Sequence, residues 1–137
     1  LQCVYDEIEQ AGKVTNNGII LLNKSQSVQR QRFTVMHELG HYLLGHVGND
    51  PRFRDSGRTE EEQEADRFAV GCLMPACVLW ALHATTAKEI AALCNVSMQA
   101  AEIRSRRMQI LLARNKFLTH PLERQVFEQF QQFINNQ

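Results

Sequence analysis

One short segment, residues 33–41, contains the side chains best suited to chemistry in this chain. It reads FTVMHELGH, so His37 and His41 are four residues apart and Glu38 follows the first of them. On a helix this spacing places both imidazoles on one face, one turn apart. Two such imidazoles can bind one divalent metal, with Glu38 beside the position left open for water. The segment therefore predicts a metal site. The alternative is a buried helix with two hydrogen-bonded core histidines, which gives Glu38 no role.

The third ligand of such a site is expected in the acidic stretch that begins a second helix near residue 59. A hydrolytic zinc site uses three protein ligands and keeps one position open. At 100° per residue, Glu61 and Glu62 lie on or beside the apolar face of this helix, whereas Glu60 and Glu64 point away. Glu62 is the preferred ligand, with Glu61 and Glu64 as alternatives. The apolar face consists of Ala65, Phe68, Ala69, Cys72 and Leu73.

Two further residues of this helix bear on the role of Glu62. Asp66 follows by one turn on the same side, where its carboxylate can hydrogen-bond a metal-binding histidine and orient it. Thr59 forms the pattern Thr-x-x-Glu with Glu62, which is also typical of a capping box. In that alternative the Glu62 side chain would simply bond the backbone at the helix start.

Length, charge and composition limit the classes of function. The chain has 137 residues, enough for one domain with a real core, and 44% of them are hydrophobic, as in ordinary globular proteins. Lys and Arg number 15, as do Asp and Glu, so no global field attracts nucleic acid or membrane. The cysteines form no CxxC pair and are expected to be free thiols in a reducing cytoplasm. No apolar run suits a membrane span and no signal peptide is present. Because the chain starts with Leu1, we expect the native N-terminus either to have been trimmed or to lie outside the given sequence.

The first 24 residues are expected to form β structure. Residues 16–18 (NNG) form a turn pattern, and residues 18–23 (GIILLN) form an apolar run suited to a buried strand. Residues 4–8 are expected to pair with that strand in a hairpin or meander, although residues 6–11 would equally suit a helix. The strand Ile19–Asn23 is also a candidate for binding an extended peptide along its edge.

The helix that carries the two histidines has recognisable ends. Ser25 or Ser27 can cap its start, and good helix formers follow over residues 26–32. One stripe of the helix contains Phe33, His37, His41 and Leu44. Gly45 is a natural stop, and the Gly, Asn, Asp and Pro content of residues 45–58 predicts an irregular loop.

Further along, the sequence predicts a helix-turn-helix-like pair over residues 86–113. Thr86 and Glu89 form a capping box at the first helix, Asn95 makes the turn, and Ser97 caps the second helix. This second helix and its tail contain a local basic excess, made of Arg104, Arg106, Arg107, Arg114 and Lys116. The excess raises DNA binding through residues 97–116 as a rival function. The balanced total charge instead favours a helical pair that exposes arginines to water.

The last segment, residues 119–137, is expected to form one amphipathic helix packed on the same domain, with Pro121 in its first turn. Its apolar stripe is expected to be core, or a dimer or substrate contact if it is exposed. The stripe contains Val126, Phe127, Phe130, Phe133 and Ile134. The predicted fold class is therefore α+β, mostly helical, with a small N-terminal sheet or hairpin and a helical C-terminal part.

Three motifs in this order resemble the ImmA/IrrE metallopeptidases. They are residues 30–41, which read RQRFTVMHELGH, residues 62–69, which read EQEADRFA, and residues 73–75, which read LMP. The resemblance spans roughly residues 18–108. Asp66 stands where the family usually has Asn, a variation that leaves the ligand set intact.

The resemblance implies a zincin-like metallopeptidase domain, which we place at residues 1–118, with zinc as its cofactor. It carries the two histidine ligands onto His37 and His41, the third ligand onto Glu62 and the catalytic glutamate onto Glu38. It also implies a cytoplasmic protein. Several members of the family lie beside a helix-turn-helix repressor on mobile elements or in stress regulons, and cut that repressor.

The residue types define a mechanism for such a site. Zinc held by two imidazoles and one carboxylate lowers the pKa of its bound water to about 7. Glu38 accepts the proton of that water and later delivers it to the leaving amine. A second donor to the oxyanion is expected. Tyr42 points off the ligand face, and none of His83, His120 and Arg104 is favoured for this role.

Two classes of function follow from the sequence. One is a zinc-dependent endopeptidase that acts on a specific regulator, which the family resemblance implies to be a helix-turn-helix repressor. The other is a DNA-binding or scaffold module with a structural or vestigial metal site. Three protein ligands and an open position would favour the enzyme, whereas a closed site of four protein ligands would favour the scaffold.

Overall fold

The computed structural model describes residues 1–46 and 59–137 of the chain. These residues form two units, Leu1–Leu73 and Met74–Gln137. The first unit combines a small sheet with two helices, and the second is helical throughout its regular elements. The fold class is therefore α+β, as the sequence predicts. The predicted division into a domain over 1–118 and a helix over 119–137 stays a prediction.

The sheet of the first unit has three strands, β1 (Gln2–Asp6), β2 (Gly12–Val14) and β3 (Ile19–Asn23), in the order β1-β3-β2. β3 is central, and its side chains Ile20 and Leu22 are buried. β1 runs parallel to β3 and β2 runs antiparallel to it. The expected pairing of this segment with the strand at 19–23 is therefore confirmed over Val4–Asp6, but it is parallel, so the expected hairpin or meander is wrong. The helical alternative for residues 6–11 is wrong as well, because that stretch ends β1 and continues in bends.

The sheet has two edge strands, β1 and β2, and β2 is the one that packs against α1. Since β3 pairs on both sides, the prediction that Ile19–Asn23 binds a peptide along its edge is wrong. Around β2, the Ala11 carbonyl accepts a hydrogen bond from β3 and the Thr15 N–H donates one to it. Alternate residues of an antiparallel strand point their backbone groups at the partner. The N–H and C=O groups of Gly12 and Val14 therefore point outward.

Helix α1 (Val28–Leu43) follows the sheet and packs against β2 and β3. Of the two candidate caps it is Ser27 whose hydroxyl accepts from the Arg30 N–H, at 3.2 Å. The helix ends at Leu43, and Gly45 adopts a positive φ of 78°, as expected for a glycine stop. The irregular loop predicted for residues 45–58 falls mainly on 47–58, which lie outside the described residues.

Helix α2 (Glu60–Leu73) packs along α1, and two glycines allow close approach in this unit. A Cβ at Gly40 of α1 would lie 3.1–3.2 Å from side-chain atoms of Phe68 on α2. A Cβ at Gly12 of β2 would collide with the Thr34 methyl group on α1. Both glycines let α1 lie close to its neighbours. They therefore help to set the position of the side of α1 that carries His37 and His41 relative to α2 and β2.

The second unit contains five helices among the described residues. They are α3 (Ala76–Ala81), α4 (Ala87–Cys94), α5 (Met98–Arg114), α6 (Pro121–Gln129) and α7 (Gln131–Asn135). The helix pair predicted from its caps is confirmed, since Thr86 and Glu89 form a capping box and Ser97 caps α5. Asn95 makes the turn in the left-handed conformation, with φ 51°.

The C-terminal stripe is less buried than expected for core. The helix breaks at Phe130 into α6 and α7, so a single helix over this segment is wrong. α6 packs on α3, where the rings of Phe127 and Trp80 lie 6.5 Å apart. None of the α6 or α7 side chains is fully buried, and Phe133 is 40% exposed.

The basic residues of α5 do not form one uniform surface. Arg104 is half-buried, and its Nε donates to the Met74 carbonyl at 3.0 Å. Burial of this guanidinium, with Arg107 nearby, lowers its pKa. Arg106, Arg107 and Arg114 are exposed. All four cysteines are free thiols, as predicted. No helix within the described residues has the length and apolarity needed to cross a membrane.

Candidate metal centre

Helix α1 brings two imidazoles together by its regular repeat. His37 and His41 are one turn apart, and their Nε2 atoms lie 3.0 Å from each other. The rings meet edge to face with centroids 4.7 Å apart. The His41 side chain is only 2% exposed and that of His37 is 16% exposed. The pair therefore presents two ring nitrogens to one point, with one ring deep in the protein and one nearer its surface.

Helix α2 brings the Glu62 carboxylate to the same point. Its Oε2 lies 3.1 Å from His37 Nε2, and its Oε1 lies 3.2 Å from His41 Nε2. The Thr59 hydroxyl accepts from the Glu62 N–H at 3.2 Å, so the helix cap is present too. The Glu62 N–H thus takes part in the cap, while the Glu62 carboxylate faces the two imidazoles.

The three side chains have the chemistry of a metal site. His37, His41 and Glu62 each offer one ligand atom, and these atoms all lie within 4.8 Å of one another. Two imidazole nitrogens and one carboxylate oxygen suit a divalent transition metal such as zinc. Within residues 1–46 and 59–137, three protein ligands meet at this point, which leaves one position of a tetrahedral site open. The residues present therefore fit a metal ion of this kind.

Asp66 contacts the outer nitrogen of the first imidazole. Its Oδ1 lies 2.8 Å from His37 Nδ1. A carboxylate at this place accepts from Nδ1–H, so the lone pair of His37 is on Nε2, which faces Glu62 and His41. One helical turn of α2 therefore supplies both the acid that faces the site and the acid that orients a site histidine.

Glu38 lies between the histidine face of α1 and the edge strand. Its Cγ is 3.5 Å from the position that a Cβ would have on Gly12 of β2. The side chain is half-buried. Because Gly12 turns its backbone groups outward, a chain paired with β2 would pass close to the Glu38 carboxylate.

Of two further residues near the site, His46 was not predicted from the sequence, and Glu64 was expected only as an alternative metal ligand. His46 is buried and lies just after α1, with Nδ1 at 3.0 Å from His41 Nδ1. Its Nε2 lies 2.9 Å from Glu64 Oε2. The helical projection predicted that Glu64 points away from the site. Its carboxylate is indeed absent from the group formed by His37, His41 and Glu62, but it contacts His46. No helical spacing relates His46 to His41, because α1 ends at Leu43.

The candidates for a second oxyanion donor have other contacts. The Tyr42 side chain turns towards the sheet, with its hydroxyl 3.5 Å from the position that a Cβ would have on Gly18. Arg104 bonds the Met74 carbonyl, and His120 Nδ1 accepts from the Leu122 N–H at the start of α6. These contacts give Arg104 and His120 structural work in the second unit.

Two helix-borne histidines and a glutamate from the next helix, beside a strand edge, define the site class of a metal-dependent hydrolase. The family model Peptidase_M78, described as the IrrE N-terminal-like domain, matches residues 5–106 of the chain. The chain therefore belongs to this metallopeptidase family, and the resemblance to the ImmA/IrrE metallopeptidases is confirmed. Comparison with curated proteins found no match.

Proposed function

We propose that this protein is a zinc-dependent endopeptidase in which His37, His41 and Glu62 hold the metal and Glu38 is the general base. The observation that carries the proposal is the convergence of the three ligand atoms within 4.8 Å of one another. Membership of a peptidase family supports the reaction type. The open fourth position favours an enzyme over a scaffold with a structural metal, whose site would be closed by a fourth protein ligand.

Each residue of the site has a chemical task in this proposal. When bound, zinc supplies Lewis-acid chemistry, polarising a peptide carbonyl and lowering the pKa of water to about 7. Glu38 takes the proton of the attacking water and passes it to the leaving amine. Asp66 holds the His37 ring through the 2.8 Å contact to Nδ1, so that Nε2 keeps its direction.

The edge strand β2 supports a peptide as the substrate. The outward N–H and C=O groups of Gly12 and Val14 can pair with an extended chain as a further strand would. The nearness of Glu38 to Gly12 supports a substrate chain whose scissile bond lies next to Glu38. Main-chain pairing of this kind gives affinity without demanding a particular side-chain sequence.

The proposed substrate class is a helix-turn-helix repressor, and the proposed location of the protein is a reducing cytoplasm. This rests on the resemblance to ImmA/IrrE proteins. The free thiols of Cys3, Cys72, Cys77 and Cys94 accord with a reducing compartment.

The catalytic part of the proposal is tested with Glu38→Gln and a mixture of unstructured peptides from a proteome digest. Mass spectrometry identifies new termini, and zinc content is measured for each protein. The amide is close to the carboxylate in size but cannot take the proton. We expect cleavage to fall by about 10²- to 10⁴-fold while zinc content is unchanged.

Glu60→Gln is the matched control, because it removes an exposed carboxylate from the first turn of α2. It should cleave as the wild type does. Equal cleavage by wild type and Glu38→Gln would refute the peptidase mechanism, as would absence of zinc from a protein purified with zinc supplied. The substrate class is tested separately by incubation with the repressor encoded beside the gene. An intact repressor, with peptides cleaved, would refute the substrate but not the chemistry.

A further inference from the structure

A line of hydrogen-bonding side chains leads away from the metal centre on the side of His41. His41 Nδ1 lies 3.0 Å from His46 Nδ1, and His46 Nε2 lies 2.9 Å from Glu64 Oε2. This line is buried at one end and reaches solvent at the other, since the exposed fraction of the side chains is 2% for His41, 8% for His46 and 39% for Glu64. Three residues from α1, the turn after it and α2 thus form one line.

Only one arrangement of protons along this line leaves His41 able to bind a metal. A neutral imidazole has one N–H and one lone pair, so two facing Nδ1 atoms need one donor and one acceptor. Binding through Nε2 requires the lone pair of His41 on Nε2 and its proton on Nδ1. His41 Nδ1–H then donates to His46 Nδ1, and His46 Nε2–H donates to Glu64.

The reversed arrangement fails at both ends of the line. If His46 Nδ1–H donated to His41, the proton of His41 would be on Nε2, which would then be unable to bind a metal. At the other end, the lone pair of His46 Nε2 would face the Glu64 carboxylate, and two acceptors would meet at 2.9 Å. Glu64 therefore favours the first arrangement, whereas the Glu62 carboxylate, 3.2 Å from His41 Nε2, would favour the reverse while no metal is bound.

We propose that Glu64 and His46 are positioning residues that hold His41 in the tautomer and orientation needed for metal binding. This inference rests on the proposed metal centre. In this proposal each histidine ligand is oriented by a carboxylate of α2, but one contact is direct and the other is indirect. Asp66 fixes His37 directly, whereas Glu64 fixes His41 through the His46 ring. Glu64 contacts the His46 ring, and it is this ring that contacts the outer nitrogen of the buried His41.

His46 is not a fourth ligand at this centre. Its Nδ1 faces the outer nitrogen of His41 and its Nε2 faces Glu64, so both ring nitrogens are turned away from the point shared by His37, His41 and Glu62. The rival account is a second metal ion between the two Nδ1 atoms. It predicts two bound metal ions for each chain, and the proposal predicts one.

The test measures zinc affinity by competition with a chromophoric chelator, together with zinc stoichiometry. His46→Leu removes the acceptor at Nδ1, and Glu64→Ala removes the carboxylate. His46→Asn can place its Oδ1 close to where Nδ1 lies and so restores an acceptor for His41. We expect about 10- to 100-fold weaker binding for His46→Leu and Glu64→Ala, with most of the affinity recovered in His46→Asn. Glu60→Ala on the same helix should bind as the wild type does.

A second measurement reads the tautomer directly in the metal-free protein. The nitrogen chemical shifts of the histidine side chains show which ring nitrogen carries the proton. We expect His41 as the Nδ1–H form in the wild type, and a mixture of forms in His46→Leu and Glu64→Ala. Glu64→Ala changes a partly exposed side chain, so it serves if His46→Leu does not fold.

The possible failures can be told apart. A wild type that binds no zinc but has His41 as the Nδ1–H form would refute the metal centre and leave the hydrogen-bonded line standing. Unchanged affinity and unchanged tautomer in both His46→Leu and Glu64→Ala would overturn the positioning role while the metal centre stands. Two zinc ions for each wild-type chain would also overturn it, in favour of a bridged second ion.

Discussion

The contact between His37 Nδ1 and Asp66 Oδ1, 2.8 Å long, requires a hydrogen-bond acceptor at this place. An amide oxygen accepts a hydrogen bond as a carboxylate oxygen does, although a charged acceptor forms the stronger bond. The family resemblance places Asn at this position in most members. We therefore propose that Asp66 contributes by orienting the His37 ring more than by its charge.

Two substitutions at Asp66 separate orientation from charge. Asp66→Asn keeps an acceptor, so we expect zinc affinity within about tenfold of the wild type. Asp66→Leu removes the acceptor and should weaken binding by about 10- to 100-fold. Zinc competition with a chelator measures both. Gln63→Leu, on the exposed side of the same helix, is the matched control. Equal loss of affinity in the Asn and Leu variants would show that the charge is essential.

The sequence predicts some residues of the site better than others, for a physical reason. His37 and His41 share a helix, so helical geometry alone brings their rings together. Glu62 was placed by the face of a second helix, and the structure brings its carboxylate to both rings. His46 lies after the end of α1, where no repeat applies, and its contact with Glu64 depends on how two helices meet. Such a contact cannot be read from spacing.

At the scale of elements, the packing of α1 on α2 is limited by one glycine. A Cβ on Gly40 would lie 3.1–3.2 Å from Cβ, Cγ and Cδ1 of Phe68. The Phe68 Cβ is tied to the backbone of α2 and cannot swing aside. A methyl group at this place must therefore push the two helices apart, although alanine has the better helix propensity.

Two glycine substitutions should have opposite effects on stability. Gly40→Ala gains about 1 kcal/mol of helix propensity but loses about 1–3 kcal/mol to overpacking, so we expect net destabilisation. Gly71→Ala in α2 meets nothing within 4 Å and should stabilise by about 0.5–1 kcal/mol. Thermal unfolding of the metal-free proteins measures both. A Gly40→Ala protein as stable as Gly71→Ala would show that the helices can separate without cost.

Local signals explain which elements the sequence predicted. The α4–α5 pair carries its caps within a few residues of each helix end, so Thr86, Glu89 and Ser97 predict it correctly. β2 has the sequence Gly-Lys-Val, which is no strong strand signal. It forms because β3 offers it an edge and α1 closes over it. β1 likewise pairs in parallel with β3, although β2 lies between them in the sequence. This pairing depends on tertiary contacts.

At the scale of the molecule, balanced charge bears on the rival function of DNA binding. The chain has 15 basic and 15 acidic residues, so its net charge does not attract a polyanion. The exposed basic residues of α5 and its tail are a local excess, and salt screens such a patch beyond about 8 Å at 0.15 M. Arg104 already bonds the Met74 carbonyl within the second unit.

We therefore expect no retention of duplex DNA at about 0.15 M salt with protein near 10⁻⁵ M, within the range where non-specific binders are retained. A gel mobility shift with random-sequence duplex measures this. Arg106→Ala combined with Arg107→Ala is the accompanying variant, and it should cleave peptides as the wild type does. DNA retention by the wild type that is lost in this variant would assign α5 to nucleic acid and contradict the expectation.

The shortness of β2 has a consequence for the fate of a target protein. β2 has three residues, and only Gly12 and Val14 point their N–H and C=O groups outward. It can therefore pair with only a short extended segment of another chain. A helix or an inner strand already uses its own backbone groups and cannot lend them to this edge. If the substrate pairs with β2 as proposed, a target must therefore unravel locally before it can be cut. Its lifetime would then follow its own opening equilibrium, so a mutation that steadies the target would prolong its survival with the protease unaltered.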